Sequence, residues 1–148
     1  MDLPRDKKRA RQKLVFAASQ QLGKPYAYGA WTEEAPLRFD CSSFVQFCYR
    51  SIGIDLPRVS LMQAHAGRTI RIGQRLQPGD LIFVRGREGR YDARFPAGIG
   101  HVIMVTGVDE VMHAKSRTVR GQERGAVVRE PLSKILCRRD ITVIKRIL

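Results

Sequence analysis

Apolar residues at Leu14, Val15, Ala17, Ala18 and Leu22 fall on one stripe of a 3.6-residue repeat, behind a basic run from Arg5 to Lys13. Residues 5–22 are therefore expected to form a helix that closes at Gly23, with the basic run as its solvated face. Phe44, Val45, Phe47 and Cys48 repeat the pattern after Asp40, a good N-cap, so a second helix is expected from Cys41 to about Ile52, stopped by Gly53. Leu56-Pro57-Arg58 reads as an extended connector, and Ser60 as the cap of a short helix through Ala66. From Thr69 the period shortens. Pro78-Gly79-Asp80 signals a turn before a buried strand, Leu81–Val84, and further strands are expected at His101–Thr106, Val111–Lys115, Ala126–Arg129 and Ile141–Ile147. Pro131–Leu136 reads as a helical turn, Ser116–Gly125 as a basic loop, and Arg85–Ile99 as a Gly- and Arg-rich loop at the rim of a cleft. Helices first and a meandering antiparallel sheet after them is an α+β order. With no repeat or linker, residues 1–148 read as a single catalytic-type domain, of which 1–13 is a basic N-terminal segment leading into the first helix.

The strands at His101 and Val111 make a geometric test possible. Partners in an antiparallel pair share a face. A loop centred on Gly107 pairs His101 directly with His113, and one centred on Val108 makes them diagonal neighbours on one face. A two-residue Val108-Asp109 turn places them on opposite faces. An odd-length loop is therefore expected.

Composition adds bounds. At 148 residues the chain is long enough to bury a core without disulfides or metal. No apolar run approaches the roughly 20 residues that span a bilayer. Met1 to Arg9 lacks the apolar segment of a secretory signal. The expected place of action is the cell envelope, reached by another export route, by phage or by injection, with cytoplasmic recycling as the alternative. The 27 Lys and Arg outnumber the 14 Asp and Glu, and a net charge of +13 implies an anionic partner or surroundings. The charges are spread along the chain and few aromatics stand among them, which suits an anionic wall polymer or membrane surface better than sequence-reading of nucleic acid.

Three cysteines without paired spacing point to reduced thiols. Cys48 lies about 10 Å from Cys41 along the helix, too far to bridge. Cys137 is expected to pack behind an amphipathic turn, and His65 reads as structural or surface. Cys41 is different. It follows an N-cap aspartate at a helix start, where free N–H groups and the macrodipole favour the thiolate. With no C-x-x-C, H-x-C or H-E-x-x-H spacing, no metal or other cofactor is expected.

Five stretches in order, Phe39-Asp40-Cys41-Ser42-Ser43-Phe44-Val45, Gly53-Ile54-Asp55-Leu56-Pro57-Arg58-Val59-Ser60, Leu76 to Phe83, Gly100-His101-Val102 and Met112-His113-Ala114, resemble the NlpC/P60 family of cysteine peptidases. The likeness runs from near Val15 to the end of the chain. It implies a papain-like fold and a Cys-His-His triad with Cys41 as nucleophile, His101 as base and His113 as the residue that orients the base. It also carries over Tyr26, Asp40, Ser42, Ser43, Arg58 and Gly100 as substrate-contacting, Tyr26 and Asp40 receiving the amino end of the peptide and Ser42 its acyl side. The substrate implied is a peptidoglycan stem peptide or muropeptide, cut between γ-D-glutamyl and a diamino acid. Since His113 brings no full negative charge, a Cys41–His101 ion pair is expected to depend on the helix terminus. The Cys41 N–H would hold the oxyanion with a second donor. Three departures bear on specificity: Ser43 stands where the family commonly has Gly, Gly100 where it has Ser, and Ile103-Met104-Val105 where it has Gly-Ile-Tyr. The alternatives are an amidase or acyltransferase using the same thiolate, and a non-catalytic basic module that binds anionic wall polymer or nucleic acid.

Overall fold

Asp6 opens the first helix, α1 (Lys7–Ser19), by accepting a hydrogen bond from the Arg9 N–H. The computed structural model describes residues 1–87 and 89–148, so Glu88, within the expected Arg85–Ile99 rim loop, lies outside the described residues. The buried line of α1 is Ala10, Leu14 and Ala18, spaced by four. Leu22 falls beyond the helix and is exposed, so the apolar stripe is narrower than the sequence pattern suggests. Nor is the basic run only solvated: Arg11 Nη2 donates to the Leu148 carbonyl at 3.1 Å and ties α1 to the chain's last residue.

A 3-10 turn at Thr32–Glu34 leads to α2 (Cys41–Arg50), where Asp40 and Ser43 form a reciprocal cap. The next helix, α3 (Ser60–Gln63), is shorter than expected and is preceded by Val59, with no side-chain cap. The strands are β1 (Arg68–Ile70), β2 (Leu81–Val84), β3 (His101–Gly107), β4 (Glu110–Lys115), β5 (Thr118–Val119), β6 (Gln122–Glu123), β7 (Ala126–Glu130) and β8 (Ile141–Arg146), with α4 (Leu132–Leu136) between the last two. Six of them build one antiparallel sheet in the order β1-β8-β2-β3-β4-β7. Alternation splits the core. Leu81, Phe83, Val102, Met104, Met112 and Ala114 face α1 and α2, while Ile82, Val84, Ile103, Val105 and Val111 meet Leu132 and Ile135 of α4 on the other side. The architecture is the expected α+β one.

The expected Ser116–Gly125 loop is instead a β5–β6 ribbon. Its turn places Arg120 at φ 52° and Gly121 at φ 78°, the paired positive values of a tight hairpin. Cys137 is exposed rather than packed, because α4 turns Leu132 and Ile135 to the sheet and ends at Cys137 on the outside. Among the described residues, no helix is long and apolar enough to cross a membrane.

Candidate active site

Cys41 is the first residue of α2, and the local sequence explains its placement. Asp40 Oδ1 accepts from the Ser43 N–H at 2.8 Å, and Ser43 Oγ accepts from the Asp40 N–H at 3.0 Å. Arg58 Nη2 donates to Asp40 Oδ2 at 2.7 Å, Arg58 Nη1 to Ser42 Oγ at 2.9 Å, and Arg58 Nη2 also to the Ala30 carbonyl. Gln63 Nε2 donates to the Ser42 carbonyl at 2.9 Å and to the Pro57 carbonyl at 2.8 Å. Arg58 of the connector and Gln63 of α3 therefore hold the first turn of α2 through Asp40 and Ser42. Asp40, Ser42 and Ser43 are all buried, and each hydroxyl or carboxylate has an internal partner. Ser43, a departure noted above, is turned inward as a cap, which is what a glycine there cannot supply.

Cys41 lies near the sheet at Val102, and the backbone N–H groups of Val102 and Ser42 favour its thiolate. Regular β3–β4 register begins only at Met104, so the strands part at this end of the sheet. The β3–β4 tip decides where the histidines fall. Gly107 pairs with Glu110 around a two-residue Val108-Asp109 turn, the arrangement that alone would separate His101 from His113. A bulge at Thr106 shifts the register by one, so that Met104 pairs with Met112 and Val105 with Val111. His101 and His113 thereby become diagonal neighbours on one face, and His101 Nε2 lies 2.7 Å from His113 Nδ1. The bulge restores the parity that the turn reverses.

Behind His113 stands a residue that sequence reading missed. His113 Nε2 is 2.5 Å from Glu130 Oε2, at the end of β7. The register explains the meeting: His113 pairs with Val128, and Glu130, two residues on, shares its face. Val128 and Glu130 alternate correctly in sequence, but only the strand order brings β7 beside β4.

Tyr26 is half-buried near Cys41. Its N–H donates to the Gly125 carbonyl at 2.9 Å, and its phenol is shifted upward by burial and then by the nearby Cys41 and Asp40 charges. Gly125 has no room for a side chain: a Cβ there would meet the Lys115 carbonyl oxygen. Gly100 is exposed beside His101, its N–H held by the Val84 carbonyl at 2.9 Å. Trp31 and Tyr28, on the loop before α2, are exposed. His65 is oriented after all, by Asp92 Oδ2 at 2.7 Å and by the edge of Phe95.

Electrostatics alters one expectation. Burial, and then the Asp40 carboxylate, push the Cys41 thiol up to about 11, against the Val102 and Ser42 N–H groups and Arg58. Burial, followed by His113, Arg138 and Lys115, holds His101 down to about 3. At rest Cys41 is a neutral thiol and His101 a neutral imidazole rather than the two halves of the expected ion pair, because desolvation disfavours each charge. Among the described residues, no three His, Cys, Asp or Glu side chains are grouped to hold a metal ion.

Residues 23–137 match the NlpC/P60 family model. The chain is 33% identical over 108 residues to a probable endopeptidase p60 of Listeria innocua, covering 72% of this chain and 20% of that protein. It is 42% identical over 72 residues to a probable endopeptidase of Mycobacterium tuberculosis, covering 49% and 18%. It thus spans about a fifth of the length of these relatives. Among solved structures, the P60 domain of an antigen from M. avium subspecies paratuberculosis is similar at 25% identity and a TM-score of 0.70, covering 95% of this chain and 96% of that one. The peptidoglycan hydrolase RipB of M. tuberculosis shares the fold at a TM-score of 0.72 and 24% identity, over 99% and 69%. The matched span holds the capped Cys41 turn, both histidines and the Glu130 behind them, and by that match the chain belongs to the NlpC/P60 family.

Proposed function

We propose that the chain is a cysteine peptidase that hydrolyses peptidoglycan stem peptides, at the bond between γ-D-glutamyl and a diamino acid. The observation that carries this reading is the meeting of the α2 terminus with the sheet. Cys41 sits at a capped helix start near Val102 of the sheet, and His101, the residue before Val102, is hydrogen-bonded to His113. The family's relatives named as endopeptidases, and the fold's peptidoglycan hydrolase, agree with the substrate class.

In the proposed reaction His101 takes the thiol proton as the sulfur attacks the scissile carbonyl carbon. The oxyanion is received at the Cys41 N–H, one of the unpaired donors of the helix start. The imidazolium then protonates the leaving amine of the diamino acid, and water hydrolyses the thioester with His101 again as base. Tyr26 lies near the thiol, and the exposed Gly100 precedes His101. Asp40, Ser42 and Arg58 shape the floor as one hydrogen-bonded unit, so a substrate amino group meets a carboxylate already shared with arginine. Mass spectrometry of purified muropeptides tests the reading: incubation should split off the fragment carrying the diamino acid, and fragments cut elsewhere would refute the bond assignment.

The charge states set the pH dependence. Below the pKa of His101 the base is protonated and activity falls as pH falls; above that of Cys41 no proton remains for the leaving amine, and activity falls as pH rises. With those groups near 3 and 11, kcat/KM should be level across the neutral range. A narrow bell centred on pH 7 in initial rates on a muropeptide would contradict the neutral pair.

A further inference from the structure

We propose that Glu130 is a positioning residue that sets the tautomers of His113 and His101 in series and so leaves Nδ1 of His101 as the free base. The proposal rests on the peptidase reading for its effect on turnover, but the tautomers themselves follow from hydrogen-bond chemistry alone. An ionised carboxylate only accepts, so the 2.5 Å contact requires His113 Nε2 to carry its proton toward Glu130 Oε2. A neutral His113 then presents a lone pair at Nδ1. Across 2.7 Å that lone pair accepts from His101 Nε2–H, which leaves His101 Nδ1 without a proton.

The starting condition is built in. Glu130 Oε1 accepts from Lys134 Nζ at 2.8 Å and lies 3.3 Å from Lys115 Nζ, so Oε2 is the oxygen left for His113. Burial opposes ionisation of Glu130, but the hydrogen bonds from Lys134 and His113 outweigh it and hold the carboxyl down to about 2. Burial keeps both imidazoles neutral. The series therefore runs one way wherever Glu130 is ionised and both imidazoles are neutral. An orienting histidine alone does not specify direction, since either of its nitrogens can carry the proton. The carboxylate supplies the polarity that His113 lacks.

Glu130→Gln separates this role from packing, because shape is retained while one end of the group becomes a donor. Lys134 and Lys115 demand an acceptor, so the amide oxygen stays with them and the amide nitrogen turns to His113. The series then reverses: His113 carries its proton on Nδ1, His101 on Nδ1, and the base that should receive the thiol proton is occupied. Wrong-tautomer variants of catalytic triads lose up to about 10⁴ in kcat, and a loss of about 10²-fold or more with little change in KM is expected here.

The test is nitrogen NMR of the imidazoles in the full chain at neutral pH, with muropeptide kinetics beside it. In the wild type both histidines should be protonated at Nε2, and in Glu130→Gln both at Nδ1, with kcat falling. Protonation of either wild-type histidine at Nδ1 overturns the proposal even if the variant does not fold. So does a Glu130→Gln protein with unchanged tautomers and unchanged kcat. Inverted tautomers in a chain whose wild type cleaves no muropeptide would support the relay and count against the peptidase reading.

Discussion

Cys41→Ala should abolish muropeptide cleavage, lowering kcat by at least about 10⁴-fold, while changing stability by no more than about 1 kcal/mol. The asymmetry follows from what the side chain does. Its sulfur is the one group proposed to bond covalently to substrate, yet its removal opens a space of a single atom at the rim of the core, where Cys41 is 8% exposed. Mass spectrometry of muropeptides and a thermal melt of the same preparation check both halves. Cleavage that survives in Cys41→Ala would falsify the mechanism. Alkylation gives a second reading, and the structure changes which thiols are compared: Cys137 is exposed and labels on its own account, Cys48 is fully buried, and Cys41 has a neutral thiol at rest. Cys41 should therefore label at a rate set by its base, and His101→Ala should slow it below Cys137. A His101-dependent label with no cleavage of any muropeptide would mean that the chemistry is right and the substrate wrong. Salt-sensitive binding to anionic wall polymer that survives Cys41→Ala, without turnover in the wild type, would favour a binding module instead.

Asp80→Ala should lower unfolding free energy by about 3–5 kcal/mol, the range for breaking one side of a buried ion pair. Asp80 is 1% exposed, and its carboxylate takes a two-pronged hydrogen bond from Arg146, with Nε–Oδ1 at 2.8 Å and Nη2–Oδ2 at 2.7 Å. The Gln77 N–H adds a third bond at 2.8 Å, and Arg146 Nη2 also donates to the Arg75 carbonyl. The unit fastens the turn before β2 to the end of β8. Next to it Gly79, at φ 97°, leaves its carbonyl to the buried Tyr49 hydroxyl, and a Cβ there would sit 3.0 Å from Leu14 Cδ2. Removing Asp80 leaves a guanidinium that is only 11% exposed without its carboxylate. Urea denaturation should show the loss, and an Asp80→Ala, Arg146→Met double variant should recover part of it by removing the orphan charge. Asp55→Ala is the contrast, because its Arg50 pair is exposed and should be worth at most about 1 kcal/mol. Equal effects at the two sites would refute the burial argument.

The elements that local pattern could specify were legible in the chain. Asp40 before Cys41 announced a capped helix start, Pro78-Gly79-Asp80 a turn, and Leu81–Val84 a buried strand, and each stands where the pattern put it. The misreadings have local causes. Arg120-Gly121 looked like loop because a two-residue turn between two-residue strands leaves too little alternation to detect. Leu22 joined the stripe of α1 by its spacing but lies past the helix end. Cys41 was expected as a thiolate from its helix position, since burial and the turned-in Asp40 are not visible along the chain.

His101 and His113 lie twelve positions apart on a hairpin, so sequence limited their relation to a question of parity. The bulge at Thr106 answered it, and a bulge depends on how two strands settle against the core rather than on any one residue. Glu130 is further from prediction, because its contact with His113 needs both the strand order β3-β4-β7 and the register within it. The same holds for Arg58 and Gln63, which reach back to Asp40 and Ser42 only once the connector is folded over the helix start. The sequence alone determined the helix terminus that carries Cys41, the apolar faces that bury it, and the presence of two histidines on adjacent strands, because these depend on neighbours within a few residues. Tertiary structure alone decided the protonation of the thiol, the common face of the histidines and the carboxylate behind them, because burial and cross-strand register are set by residues far apart in the chain.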